Sequence, residues 1–435
     1  MNKAQIVRCS AREILDSRGN PTVEASVFLS DGTVGIASVP SGASTGIFEA
    51  HEKRDKNPAR YGGKGVEEAV RGICRKISPA LSGINATEQA EVDRILIQLD
   101  GTPDKSALGA NACLAVSLAT ARAAASWYHL PIYRYLGGIN ANMLPVPMMN
   151  ILNGGAHASN NVEIQEFMVV PVGFSRFSDA LRAGCEVYHA LGALLKEKGL
   201  STTVGDEGGF APMLESDEAA IELIMQAITN AGYSHDQVRI ALDAAASEWL
   251  DESNGEYCLP KTGKRMSSDQ LVAYWEELIG RYPIIMSLED ALEQRDESGW
   301  ISVTQKLGNK IMLVGDDLFV TNSKILAKGI EKGLANSILI KPNQVGTLTE
   351  TLDTVHMARN AGYKFILSHR SGDTEDTTIA DIAVALSSGF IKTGAPCRSE
   401  RVAKYNRLLR IEASLNSSAQ YGSSNTSVIN PFLGI

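Results

Sequence analysis

Eight short apolar runs, recurring from about residue 145 onward, restrain the fold of this 435-residue chain more than any other feature. They are "QEFMVVPVG", "TTVGDEGG", "VRIALDAAAS", "PIIMSLEDAL", "IMLVGDDLFV", "SILIKPNQVG", "KFILSHRSGD" and "GFIKTGAP". Helical patterns such as "TETLDTVHMARNAG" and "TTIADIAVALSSG" lie between several of them. Strand and helix alternating at a spacing of about 25 residues fit a barrel of parallel strands better than a bundle or a sandwich. A doubly wound sheet is the other arrangement open to such a chain. The earlier part reads differently. "TVEASVFLSDGTVGIASVP" alternates around Asp31-Gly32, a hairpin turn signal, and "GVEEAVRGICRKISPAL" and "LGANACLAVSLATARAAASWYHL" follow as helices. Strands first and helices after predict an α+β unit. The fold class is therefore α/β: a C-terminal TIM-like βα barrel over residues 139–435, and an N-terminal α+β domain, an antiparallel meander with helices, over residues 1–138.

Polar residues stand where the apolar runs stop: Glu166, Glu207, Asp243, Glu289, Asp316, Lys341, His369-Arg370-Ser371 and Lys392. In a βα barrel the carboxyl ends of the strands share one face, so these residues would converge there. Taken singly, an acidic residue after a strand is usually an N-cap for the next helix, the role expected for Asp317, and Lys341 could be a lysine snorkelling from a strand end. Taken together, five carboxylates at one mouth repel unless cations sit among them. Asp243, Glu289 and Asp316 come from successive runs and offer hard oxygens, a set suited to Mg²⁺. Six scattered cysteines show no CxxC pair or zinc spacing, and predict reduced, mostly buried thiols.

Two Gly-rich stretches add candidates. "VPSGASTGIFEAHEKRD" (39–55) lacks the lysine of a nucleotide P-loop, and "NGGAHASNN" (153–161) presents His157. Read alone, the first is a turn and the second an exposed loop. With 41 basic against 50 acidic residues and no basic cluster, neither nucleic-acid nor membrane binding is inferred. No run approaches the ~18 apolar residues of a membrane span, since Arg122 interrupts the best candidate near 107–125. The start has no signal-peptide core, so a cytoplasmic protein is expected.

"SRGNPTVE", "VPSGASTGIFEA", "NGGAHASNNVEIQEFM", "VGDEGGFAP", "LVGDDLFVTN", "SHRSGDTEDTTIAD" and "IKTGAPCRSERVAKYNRLLRIE" resemble the enolase family, the phosphopyruvate hydratases, of bacterial type. The resemblance runs in order from about residue 4 to about 415. It implies a barrel whose first strands depart from regular βα order. It also implies the reversible dehydration of 2-phosphoglycerate to phosphoenolpyruvate in glycolysis and gluconeogenesis, with two Mg²⁺ per subunit, and a homodimer or an octamer built of dimers. Position by position, Lys341 resembles the base that removes the C2 proton, and Glu207, with Glu166 beside it, the acid that helps hydroxide leave. Asp243, Glu289 and Asp316 resemble the ligands of the first metal and Ser44 that of the second. Arg370 and Ser371 match the phosphate contacts and Lys392 the carboxylate contact, with His157 and His369 completing the substrate site. This chemistry leads one to expect Lys341 pushed down by neighbouring cations and Glu207 pushed up by Glu166. Pro342 and Asp373 depart from the usual family pattern, but neither is a catalytic position. Two rivals are an enzyme of the same superfamily acting on a non-phosphorylated acid, which Arg370-Ser371 and the "SGASTG" loop oppose, and a surface-binding role without catalysis, which the intact site opposes.

Overall fold

The computed structural model describes residues 4–42 and 46–422. Ser44, singled out by the sequence, lies outside the described residues.

Strands β1 (Ile6–Leu15), β2 (Pro21–Leu29) and β3 (Val34–Ser38) form an antiparallel meander in the order β1-β2-β3. The turn between the last two contains Asp31-Gly32, and pairing resumes at Phe28 opposite Val34. Asp31 Oδ1 accepts the Thr33 N–H at 2.9 Å, and Gly32 takes φ +90°, so the signal works through an Asx turn and a residue without a Cβ. The helix Ala110–Trp127 packs on this sheet. Its alanine-rich surface comes so close that a Cβ at Gly35 would lie 2.1 Å from the Ala119 carbonyl oxygen. Arg122, the residue that interrupts this apolar run, donates to the Ile36 carbonyl at 2.7 Å and to Asp376 at 3.1 Å.

Eight further strands close into a barrel. They are β4 (Val146–Asn153), β5 (Glu166–Pro171), β6 (Val238–Asp243), β7 (Ile285–Glu289), β8 (Met312–Gly315), β9 (Ser337–Ile340), β10 (Lys364–Ser368) and β11 (Phe390–Lys392). The circuit runs β7-β8-β9-β10-β11-β4-β5-β6 and back to β7. Strand β5 is antiparallel to both of its neighbours; the other pairings are parallel. The barrel is therefore irregular at its start, as the resemblance implies. The β-branched and leucine runs are buried throughout, and all four residues of β9 are covered.

Two expectations change here. Glu166 is the first residue of β5, not its last, and reaches the common rim because that strand runs backwards. The run around Glu207 forms no barrel strand. It is a loop held by isolated bridges from Phe210 to Leu152 and to Val204. The cysteines are also less buried than expected: Cys9 and Cys113 are buried, Cys185, Cys258 and Cys397 half-buried, and Cys74 exposed. Among the described residues, no helix is long and apolar enough to cross a membrane.

Candidate active site

Asp243, Glu289 and Lys392 are the last residues of their strands, and Asp316, Lys341 and His369 immediately follow theirs. Asp243, Asp316, Lys341, His369 and Lys392 line one small cavity of about 40 Å³ with Glu166, Glu207, His157, Arg370 and Ser371, and Glu289 lies behind it, joined through Lys392.

Barrel order decides who faces whom. Lys341 follows β9 and Glu166 opens β5, four places apart around an eight-strand circuit, so they stand on opposite walls. Lys392 on β11 is likewise opposite Glu289 on β7. The Lys392 ammonium spans the mouth and donates to Glu289 at 2.8 and 2.9 Å and to Asp243 at 2.9 Å, with Glu166 3.2 Å away. Burial would drive this lysine towards neutrality, but those carboxylates hold it well above the usual lysine range. Glu289 is pushed well up by burial and by Asp243 beside it, against the opposing pull of Lys392.

Lys341 makes an ion pair with Asp316 Oδ2. Burial, the largest effect, and Arg370 and Lys392 favour the neutral amine, as expected, but Asp316 and Glu289 work against them and the net shift is upward. A lowered lysine is expected of a working site with Mg²⁺ nearby; here a contact with Asp316 that the sequence did not reveal holds Lys341 up. The backbone around Lys341 is braced. Its N–H donates to Thr321 Oγ1 (2.8 Å), that hydroxyl donates to Gln344 Oε1 (2.7 Å), and Gln344 Nε2 donates to Asp316 Oδ1 (3.0 Å). Pro342 opens the short 3₁₀ turn Pro342–Gln344. At the first position of a helical turn its missing N–H has no acceptor to lose.

His157, Glu166 and Glu207 each bring a ligand atom to within 4.8 Å of one another. Burial, then the Glu207 charge, push the Glu166 carboxyl well up. Burial would raise Glu207 as well, but His369, His157 and Arg401 hold it well below the usual range. The two carboxyls of this pair are thus pushed in opposite directions, Glu166 up and Glu207 down, the reverse of the directions expected. Burial, opposed by Glu207, lowers His369 to about 4, so its ring is neutral at pH 7. Its contribution to Glu207 is then an N–H dipole, with Arg401 supplying the nearby positive charge.

Several participants escaped the sequence reading. Glu49, just beyond the "SGASTG" loop, has its Oε2 2.9 Å from Arg370 Nη1, a buried ion pair inside the cavity. Ser41 and Gly372 exchange backbone hydrogen bonds of 2.7 and 2.9 Å, tying the base of that loop to the Arg370-Ser371 segment. Asp290, with φ +42°, accepts the N–H groups of Asp316 and Asp317 at 2.9 Å each. Asp317 is not the helix cap it resembles: Asn322 caps the helix Ser323–Lys332, while Asp317 lines the cavity, pushed up to about 7 by burial and Asp316.

The donor set suits a hard divalent cation. Three buried carboxylates on adjacent strands each already require a positive partner, and their oxygens match Mg²⁺ preferences. Asp243, Glu289 and Asp316 are splayed between two lysines, however. Among the described residues the tightest ligand sets are His157-Glu166-Glu207 and Asp290-Asp316-Asp317.

The His157 loop is fastened from below. Asp217 Oδ1 accepts the N–H groups of Glu163 (2.9 Å) and Ile164 (3.2 Å), and Glu163 in turn accepts those of Lys261 and Thr262. Burial pushes the Asp217 carboxyl up to about 7. A carboxyl raised on folding binds its proton more tightly in the native state, so it subtracts stability as pH rises from about 4 through 7. Asp217→Asn keeps an oxygen for both N–H groups. It is expected to flatten the urea-midpoint profile in that window and to add a few kcal/mol, on the order of 3, at pH 8. An unchanged slope would show that Asp217 is ionised throughout.

A family model described as "Enolase, C-terminal TIM barrel domain" matches residues 141–429, and one described as "Enolase, N-terminal domain" matches residues 6–136.

Proposed function

The chain belongs to the enolase family of lyases, and on that premise we propose that it dehydrates 2-phospho-D-glycerate reversibly to phosphoenolpyruvate with Mg²⁺, two ions per subunit. The observation that carries this reading is that Lys341 and Glu166 face each other across one cavity, with Glu207 beside Glu166. A dehydration needs both: a base for the C2 proton and a proton source for the hydroxide leaving C3.

Arg370, displacing Glu49, offers a planar fork to the phosphate, with Ser371 beside it. Lys392 faces the substrate carboxylate. Lys341 becomes a competent base once Asp316 ceases to pair with it, and takes the C2 proton on its amine nitrogen. The Glu166–Glu207 pair, already holding one proton between two buried carboxylates, delivers it to the departing hydroxide as water. His157 closes the site above that pair. Asp243, Glu289 and Asp316 are the proposed ligands of one Mg²⁺, and Ser44 that of the other. A divalent cation bound there supplies positive charge where the substrate carboxylate gains electron density.

We also place the domain division at 138/139, supported by where the two matched segments meet, and read the protein as a cytoplasmic enzyme of glycolysis and gluconeogenesis that assembles as a homodimer or an octamer of dimers. Leu15 and Ile36, exposed apolar side chains beside a cleft on the N-terminal sheet, support association. Purified protein given 2-phosphoglycerate and Mg²⁺ is expected to produce enolpyruvate absorbance, and chelator to abolish it. A folded, magnesium-loaded sample that leaves 2-phosphoglycerate unchanged overturns the reading.

A further inference from the structure

Arg401 carries a guanidinium with no solvent exposure, in the first turn of the helix Ser399–Leu415. Its Nη1 lies 2.6 Å from His369 Nδ1 and 2.6 Å from the Arg370 carbonyl oxygen. Its Nη2 donates to the Ser371 carbonyl at 2.5 Å and to that of Asp206 at 3.3 Å. Three backbone carbonyls from two segments thus hold the group still. A guanidinium has donors and no acceptor. His369 Nδ1 must therefore accept, and a neutral imidazole then carries its hydrogen on Nε2. An imidazolium would set N–H against N–H across 2.6 Å.

The hydrogen on Nε2 points the ring's donor towards Glu207. Nε2 makes no well-aligned hydrogen bond, but Glu207 Oε2 is 3.2 Å away. Asn150 Nδ2 donates to the same oxygen at 3.1 Å. With two N–H donors directed at Oε2, a proton carried by Glu207 belongs on Oε1.

We propose that Arg401 is a positioning residue: by fixing His369 as the Nε2–H tautomer, it assigns the transferable proton of Glu207 to Oε1. The part of this that concerns catalysis rests on the reading of Glu207 as the proton donor to the leaving hydroxide. The part that concerns the tautomer does not.

The test begins with the unliganded protein. Nitrogen-15 spectra of labelled histidine, with His369 assigned by its loss in His369→Gln, are expected to show a pyrrole-type Nε2 and a pyridine-type Nδ1. Arg401→Met should abolish that bias and lower kcat roughly 10²-fold, the lower range for a positioned proton donor. Arg401→Lys, which keeps a donor, should restore the tautomer. In a His369→Gln background the same Arg401→Met change should cost little more, because the two residues act as one unit. A protonated Nδ1 in the wild-type protein overturns the proposal, and this measurement decides even if Arg401→Met does not fold. So do kcat losses that multiply, since they assign Arg401 a purely structural role through the Arg370 and Ser371 carbonyls. Should the protein leave 2-phosphoglycerate untouched while His369 shows the Nε2–H form, the function fails and the tautomer assignment stands.

Discussion

Lys341→Ala is expected to lower turnover of 2-phosphoglycerate by about 10⁴-fold, the upper range for a positioned general base, and to abolish solvent exchange of the substrate C2 proton. The protein should still fold. The strand that carries the lysine is anchored by its buried Ser337–Ile340 side chains, and the main chain at position 341 is held through its N–H to Thr321, which alanine retains. Arg370, Ser371 and Lys392 are untouched by the change, so substrate affinity should fall far less than kcat. Exchange measured apart from net turnover isolates the proton-transfer step from loss of hydroxide. Wild-type exchange in the alanine variant would remove Lys341 from the chemistry. An equal loss in kcat and affinity would make it a binding residue. The resting ion pair with Asp316 adds a second signature. Asp316→Asn removes the contact that raises Lys341 while leaving burial, Arg370 and Lys392, all of which lower it. The amine should therefore titrate at a lower pH in that variant.

The barrel was legible because parallel strands buried on both faces read as unbroken apolar runs, and because their polar successors recur in phase with them. Asp243, Glu289, Asp316, Lys341 and Lys392 were placed on the rim by that logic alone. Glu166 reached the same rim for a different reason, since strand direction is not written in a run such as "EFMVVP"; it is set by which neighbours the strand pairs with. Glu207 was taken for a strand end because "TTVGDEGG" is short and flanked by glycine, yet φ +88° at Gly208 shows a turn. Glu49 and Arg401 carried no local signal that set them apart from ordinary charged residues of a loop and a helix. Their roles come from partners more than 30 residues away in the chain, at Arg370 and His369. Charge balance at the rim could have suggested them, because every buried carboxylate or guanidinium there demands a counterpart. The direction of the shifts at Lys341 and Glu207 was beyond reach for the same reason. Each depends on several through-space contacts, which spacing along the chain does not determine.

Lys392→Met is expected to be the most damaging change for stability without metal. One ammonium meets Asp243 and Glu289 within 2.9 Å and Glu166 at 3.2 Å, all of them nearly excluded from water. Breaking a buried ion pair from one side leaves the other side uncompensated, typically at 3–5 kcal/mol. Here three carboxylates share a single partner, so a loss of about 5 kcal/mol at pH 7.5 is expected from urea unfolding. Two treatments should reverse it. Lowering the pH neutralises Glu166 and Glu289, whose carboxyls are already pushed well up. Millimolar Mg²⁺ should also reverse it by mass action, contributing about 2.7 kcal/mol at a concentration a hundred times its dissociation constant. The variant should therefore depend on Mg²⁺ for stability more steeply than the wild-type protein, in which the lysine already supplies charge. This comparison needs no turnover and separates a cation site from an acidic cluster without one. A Lys392→Met protein as stable as the wild type in chelator, or one that Mg²⁺ leaves unchanged, would show that these carboxylates settle their charge among themselves.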